Sequence, residues 1–152
     1  MPHQRIALVT GANQGVGFQV AKELAASGVT VLLGSRNLAK GEAAAHKIGL
    51  GTIAVQLDVT DPASIAAVAE RVRSEFGRID LLVQNAGISN HGRDPNADIA
   101  EYATSTRASN VSFVEMRAVW ETNVFGVLAV YQAMLPLLRL SSDARIVNVS
   151  SG

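Results

Sequence analysis

The chain contains no cysteine, which excludes disulfide cross-links and thiolate metal sites. It has no surplus of either charge: 13 Lys and Arg offset 13 Asp and Glu. Domains that grip nucleic acid usually carry a basic face, so a nucleic-acid partner is not expected. No uninterrupted apolar run approaches the ~18 residues of a membrane span, and no membrane partner is expected. The opening Met1-Pro2-His3-Gln4-Arg5 has no apolar leader, so the expected compartment is the cytosol. What is there is a chain of 152 residues, 48% apolar and 17% charged. That is about one domain's length and an ordinary globular composition.

The stretch Thr10-Gly11-Ala12-Asn13-Gln14-Gly15-Val16-Gly17 organises the rest. The β-type run Ile6-Ala7-Leu8-Val9 leads into it, and Val16, Val20, Ala21, Leu24 and Ala25 recur behind it at helical spacing. The glycines therefore sit on a strand-to-helix turn, where backbone N–H groups and the helix dipole favour an anion. In that setting Gly11 permits the turn, Gly15 lets the backbone approach a pyrophosphate, and Gly17 lets the helix pack close to the strand. The spacing G-x-x-x-G-x-G differs from the G-x-G-x-x-G fingerprint, and from spacing alone a plain loop is the competing reading.

After a C-cap at Ser27-Gly28, Val29-Thr30-Val31-Leu32-Leu33 reads as a buried strand ending at Gly34-Ser35-Arg36-Asn37. In a dinucleotide fold this tip meets the adenosine ribose, where an acid binds the 2′-hydroxyl and a base accommodates a 2′-phosphate. Arg36, with no acid between Gly34 and Ala39, points to NADP(H), and Lys40 is a second cation; the competing reading of Arg36 is a solvated surface side chain. Asn37 is placed to cap a helix, which Gly49-Leu50-Gly51 breaks. Ile53 to Leu57 is a third strand, ending at Asp58-Val59. Asp61 and Pro62 then start a helix striped by Ile65, Val68, Ala69, Val72 and Phe76, which Gly77 ends. Asp80-Leu81-Leu82-Val83 is a fourth strand, running into Gln84-Asn85-Ala86-Gly87. Alternating strands and helices predict an α/β fold: a doubly wound parallel sheet in three layers, with ligands beyond the carboxyl ends of the strands.

The segment from Ile88 to about Asn110 is polar and aperiodic, with a short turn of helix predicted around Ile99 to Ala103. His91, Arg93 and Arg107 either face a substrate there or are merely solvated. Ser112 then opens the longest helical pattern, with Phe113, Met116, Trp120, Val127, Tyr131, Met134 and Leu138 predicted on one face. That face could serve as a dimer surface or be covered by the preceding insertion, so the oligomeric state is open. Asn123 lies on the same stripe and needs partners, either as a pin for the helix or in a catalytic, water-holding role. Pro136 is expected to kink or stop the helix. Ala144 to Val149 is a fifth strand, closing on Ser150-Ser151-Gly152.

These residues together resemble the short-chain dehydrogenase/reductase family over essentially the whole chain. The resemblance rests on Thr10-Gly11-x-x-x-Gly15-x-Gly17, Asp58-Val59, Asn85-Ala86-Gly87, Asn123 and Ile146-Val147-Asn148-Val149-Ser150-Ser151. The Gly34-Ser35-Arg36-Asn37 tip and the insertion look like the carbonyl-reductase branch. The resemblance implies a Rossmann domain with strand order 3-2-1-4-5 and hydride transfer between NADP(H) and a ketone, aldehyde or alcohol. It implies that Gly11, Gly15, Val16 and Gly17 cradle the pyrophosphate, that Asn13 and Gln14 fill the turn, and that Ser35, Arg36 and Asn37 meet the 2′-phosphate end. Asp58 and Val59 would flank the adenine, and Asn85, Ala86 and Gly87 the adenosine; Gln84 stands where many members have Asn. Asn123 would hold a water of the proton relay, and Ser151 would hydrogen-bond the substrate carbonyl.

The family's general acid is a Tyr followed four residues later by a Lys, beyond the serine. No such pair follows Ser151 here, and Tyr102 and Tyr131 have Thr106 and Leu135 at that spacing. Protonating a developing alkoxide needs a donor of tuned pKa. The expectation is a complete adenosine half-site, an incomplete nicotinamide half-site, and, as the alternative to an enzyme, an NADP(H)-binding fragment without turnover.

Overall fold

The computed structural model describes residues 4–90, 94 and 96–151. The order of elements is β1 (Ile6–Val9), α1 (Gly15–Ala26), β2 (Thr30–Ser35), α2 (Leu38–Ile48), β3 (Ile53–Gln56), α3 (Pro62–Phe76) and β4 (Leu81–Gln84), then α4 (Ile99–Ser105), α5 (Phe113–Trp120), a π-helical segment (Glu121–Gly126), α6 (Val127–Leu138) and β5 (Arg145–Asn148). The strands form one parallel sheet, as the alternation of elements predicts, in the order β3-β2-β1-β4-β5 that the family resemblance implies.

Local chemistry sets the element ends. The Asn37 side chain accepts the Lys40 N–H at the start of α2 (3.0 Å), and Asp61 accepts the Ala63 N–H ahead of Pro62 at α3 (3.0 Å). Gly77 closes α3 in the left-handed region at φ 76°, where a side chain would be strained. Strand β2 runs two residues past Leu33, because Gly34 and Ser35 still pair with Val55 and Gln56.

Successive strand residues point to opposite faces, which divides the core into two layers. Leu8, Leu32, Val55 and Leu82 face α3 and α6, packing against Ile65, Val68, Val72, Val130, Met134 and Leu137. Val9, Val31, Leu33 and Val83 face α1 and α2, whose buried apolar residues are Ala21, Ala25, Ala44 and Ala45, with Phe18, Val20, Leu24 and Ile48 partly buried around them. The helix residues buried deepest are thus branched or long in one layer and alanine in the other.

The helix from Phe113 departs from expectation. Val130, Met134, Leu137 and Leu138 are buried, but Phe113 is 74% exposed and Trp120 53% exposed. Helix α5 has no buried residue on any face, so this half of the run does not reach the core. The π turn at Glu121–Gly126 takes one more residue than an α turn, about 100° of rotation at ~3.6 residues per turn, and so also shifts the stripe's register. Pro136 lies inside α6 without ending it. The continuous run Phe113–Leu138, 26 residues containing an 18-residue window of mean hydropathy 1.2, is by length and composition the one described helix able to cross a membrane. The scan for an uninterrupted apolar run passes over it because Glu115, Arg117 and Glu121 interrupt it. Its second half is apolar because it packs against α3 and the sheet.

At the amino end of the sheet, Asp80 is buried and fully engaged. Its Oδ2 accepts the Ile6 N–H (2.8 Å), and its Oδ1 accepts from Ser141 Oγ (2.6 Å) and Arg78 Nε (2.9 Å). Arg5 reaches Asp143 nearby at 3.1 Å. This knot ties β1, β4 and the loop before β5 together.

Candidate functional site

The four strand-end clusters singled out in the sequence, Gly11 to Gly17, Ser35-Arg36, Asp58-Val59 and Asn85 to Gly87, lie at the carboxyl end of the sheet. A cleft of about 360 Å³ opens there, lined by Gly11 and Asn13 to Gly15, Ser35 to Asn37 and Lys40, Leu57 and Val59, and Asn85 to Ile88. Two cations, Arg36 and Lys40, line it, and no carboxylate does.

The glycine turn is tied on both sides. The Thr10 N–H donates to the Val83 carbonyl (3.0 Å) and the Ala12 N–H to the Gly34 carbonyl (2.8 Å). Asn85 Nδ2 donates to the Gly11 carbonyl (3.0 Å). Gly11 has φ +59°, and a Cβ there would lie 2.8 Å from Ala86 Cα. At Gly17 a Cβ would overlap the Asn85 amide and stand 2.7 Å from the Gly11 carbonyl, so only glycine lets α1 sit this close. Gly15, at φ +63°, would meet nothing within 4 Å: its surroundings are open space. Gln14, in the N-cap position of α1, makes no capping side-chain bond. The first N–H groups of α1 are therefore left for an external acceptor. Val16 does not line the cleft, and its side chain is largely exposed.

At the tip of β2, Ser35 is buried and donates its hydroxyl to the Asn37 carbonyl (2.8 Å). The Arg36 side chain is exposed, and neither it nor Lys40 is ion-paired among the described residues. Beyond β3, Val59 lines the cleft while Asp58 turns its Oδ1 to the Thr60 N–H (2.9 Å) and hydroxyl (2.7 Å). Beyond β4, Thr10 Oγ1 accepts both the Asn85 N–H (3.0 Å) and the Ala86 N–H (2.9 Å).

Asn123 lies in the π segment and grips the backbone of Ile88 twice. Its Oδ1 accepts the Ile88 N–H (2.8 Å), and its Nδ2 donates to the Ile88 carbonyl (2.7 Å). The pinning role that position alone suggested is thus present at the rim of the cleft. Ser151 follows β5 at the same end of the sheet and is exposed. Of the insertion's candidates, His91 and Arg93 lie outside the described residues, and Arg107 does not line the cleft. Helix α4 has no buried residue.

Sequence reading gave no role of their own to four residues at this end of the sheet. Leu57 and Ile88 line the cleft as apolar walls. Thr10 acts through its hydroxyl, and Gln84, buried at the end of β4, donates to the Val127 carbonyl (3.1 Å). A threonine inside a glycine motif and an amide ending a strand were the available hints.

Comparison with known proteins fits this geometry. A family profile described as short chain dehydrogenase matches residues 5–152. "Short-chain dehydrogenase/reductase 1" of Saponaria officinalis is 39% identical, the match covering 99% of this chain and 54% of that protein. The (-)-isopiperitenone reductase of Mentha piperita is 38% identical over 97% of this chain and 57% of that protein. Among solved structures, menthone neomenthol reductase from Mentha piperita superposes with TM-score 0.83 at 33% identity, covering 98% of this chain and 61% of that one. The chain spans about half the length of the curated relatives it matches. With the profile matched from residue 5 to 152 and the sheet order and glycine turn in place, the chain belongs to the short chain dehydrogenase family.

Proposed function

We propose that the cleft holds NADP(H), and that the chain forms the coenzyme-binding part of an oxidoreductase acting on a small ketone, aldehyde or alcohol in the cytosol. The observation that supports this best is the cradle at Gly15: open space beside an uncapped helix start, faced by Arg36 and Lys40 with no lining acid. An anion fits such a place on charge and on hydrogen-bond donors.

The backbone from Gly11 through Asn13, Gln14, Gly15, Val16 and Gly17 would take the pyrophosphate. Ser35, Arg36 and Asn37 would take the 2′-phosphate end, with Arg36 able to bind it in bidentate fashion. Val59, beside Asp58, would wall the adenine, and Asn85, Ala86 and Gly87 the adenosine. When bound, the coenzyme supplies or accepts the hydride. Ser151 would hydrogen-bond the substrate oxygen and Asn123 would hold a water, but an unactivated serine is a poor proton donor. Residues 1–152 by themselves would therefore bind coenzyme without turning over. The reductase names of its relatives agree with the substrate class.

The test is a titration of the purified chain with NADPH and with NADH, followed by coenzyme fluorescence, then addition of menthone as a probe ketone. The expected result is saturable binding that favours NADPH, with no oxidation on adding the ketone. No affinity for either coenzyme at millimolar concentration overturns the proposal.

A further inference from the structure

Two cross-links join the stretch after β4 to the helix, and together they close a ring. Gln84 Nε2 donates to the Val127 carbonyl at one end (3.1 Å). At the other, Asn123 holds both the N–H and the carbonyl of Ile88. The ring's two sides are residues 84–88 and 123–127. Next to Ile88, a Cβ on Gly87 would lie 3.4 Å from Asn123 Oδ1, so the two sides are also close at that end. One side, Asn85 to Ile88, is a wall of the cleft; the other contains most of the π segment.

A π turn is a costly irregularity that persists where its surroundings fix it. Here the helix is fixed at both ends of the ring. Gly126 also packs on β3's exit, where a Cβ would stand 2.8 Å from Val59 Cγ2 and 2.9 Å from the Val59 carbonyl. Of these contacts, the Gln84 amide is the one that comes from within a strand, and its residue is only 5% exposed. It ties the helix to the sheet, where Gln84 pairs with Asn148.

We infer that Gln84 is a positioning residue: by holding the Val127 carbonyl it sets the rotation of the π segment, and so places Asn123 on Ile88 at the rim of the cleft. Met has the length of Gln without the N–H, so it removes the contact and keeps most of the packing.

Amide hydrogen exchange at Ile88 tests this without any ligand, so the result does not depend on the coenzyme proposal. In Gln84→Met the Ile88 N–H should exchange about tenfold faster, the loss expected for one net hydrogen bond. Core amides such as Leu8 and Val9 should stay as slow as the variant's measured global stability dictates. Gln84→Leu, which also lacks the donor, should show the same local change and serves if the Met variant does not fold. Asn123→Ala should speed Ile88 by itself, and adding Gln84→Met to it should speed Ile88 little further, because both act on one clasp. Unchanged Ile88 exchange in both Gln84 variants overturns the inference. So does acceleration equal to that of the core amides, or full additivity in the double variant.

Discussion

The hydroxyl oxygen of Thr10 accepts two consecutive backbone N–H groups, those of Asn85 and Ala86, at 3.0 and 2.9 Å. One side chain thus fixes the exit of β4 against the exit of β1. Thr10→Val keeps the shape and removes the acceptor, leaving both donors in a part-buried place. The expected cost is about 1–3 kcal/mol. Thermal melting should show a loss of several degrees, and Thr10→Ser should recover most of it.

Gly15 and Gly17 separate binding from folding. Gly17→Ala places a methyl 2.7 Å from a backbone carbonyl that cannot step aside, and should destabilise by roughly 1–3 kcal/mol. Gly15→Ala meets open space, so its stability cost is limited to about 1–2 kcal/mol of left-handed strain. Its methyl would stand in the cradle, and NADPH affinity should fall at least about tenfold, or ~1.4 kcal/mol. Melting curves and NADPH titrations on the two variants check the pair; parental affinity in Gly15→Ala would show that the cradle is unused.

Arg36 carries the coenzyme preference in this reading. Arg36→Ala removes a charge-assisted contact of about 1.5–3 kcal/mol, so NADPH binding should weaken roughly ten- to a hundredfold. NADH, which lacks the phosphate, should change little. Equal losses for the two coenzymes in parallel titrations would show that Arg36 does not read the 2′-phosphate.

Acid should act on the fold through Asp80. Burial pushes its carboxyl pKa up, but the hydrogen bonds from Ser141, the Ile6 N–H and Arg78, with the charge of Arg78, outweigh it and hold the pKa below the usual value. A carboxylate whose folded pKa is depressed stabilises the fold above its unfolded pKa, about 3.9. That contribution declines as pH falls from there through the folded value. Denaturant melts between neutral pH and pH 3 should show stability falling at the acid end. Asp80→Asn should be less stable at neutral pH by about 1–3 kcal/mol and should have a flatter acid limb.

What could be read from the sequence was whatever local chemistry decides. Asn37, Asp61 and Ser112 cap helices as their residue types predict, the alternating strand and helix patterns gave a parallel sheet, and the family resemblance gave its order. The glycine turn, the β2 tip, Val59 and the Asn85–Gly87 stretch converge on one cleft because strand ends in a parallel sheet have nowhere else to go. Tertiary hydrogen bonds were not legible. Nothing in the sequence around Gln84 names Val127 as its partner. The π segment was invisible for a related reason: Phe113, Met116, Trp120 and Val127 fit an uninterrupted α-helical stripe, and only contacts from β3 and β4 select the wider turn. Asn123 was placed on the right helix, but its grip on Ile88 depends on that turn.

The unequal layers on the two faces of the sheet impose opposite rules on sequence drift. Beneath α1 and α2, where Ala21, Ala25, Ala44 and Ala45 meet the strands, any enlargement pushes a helix outward and carries the glycine turn with it. Beneath α3 and α6, where Met134, Leu137 and Val72 fill the space, the intolerable change is truncation, which leaves a hole far from the ligand. Random mutagenesis should therefore find bulky replacements purged on one side for their effect on binding, and small ones purged on the other for their effect on solubility.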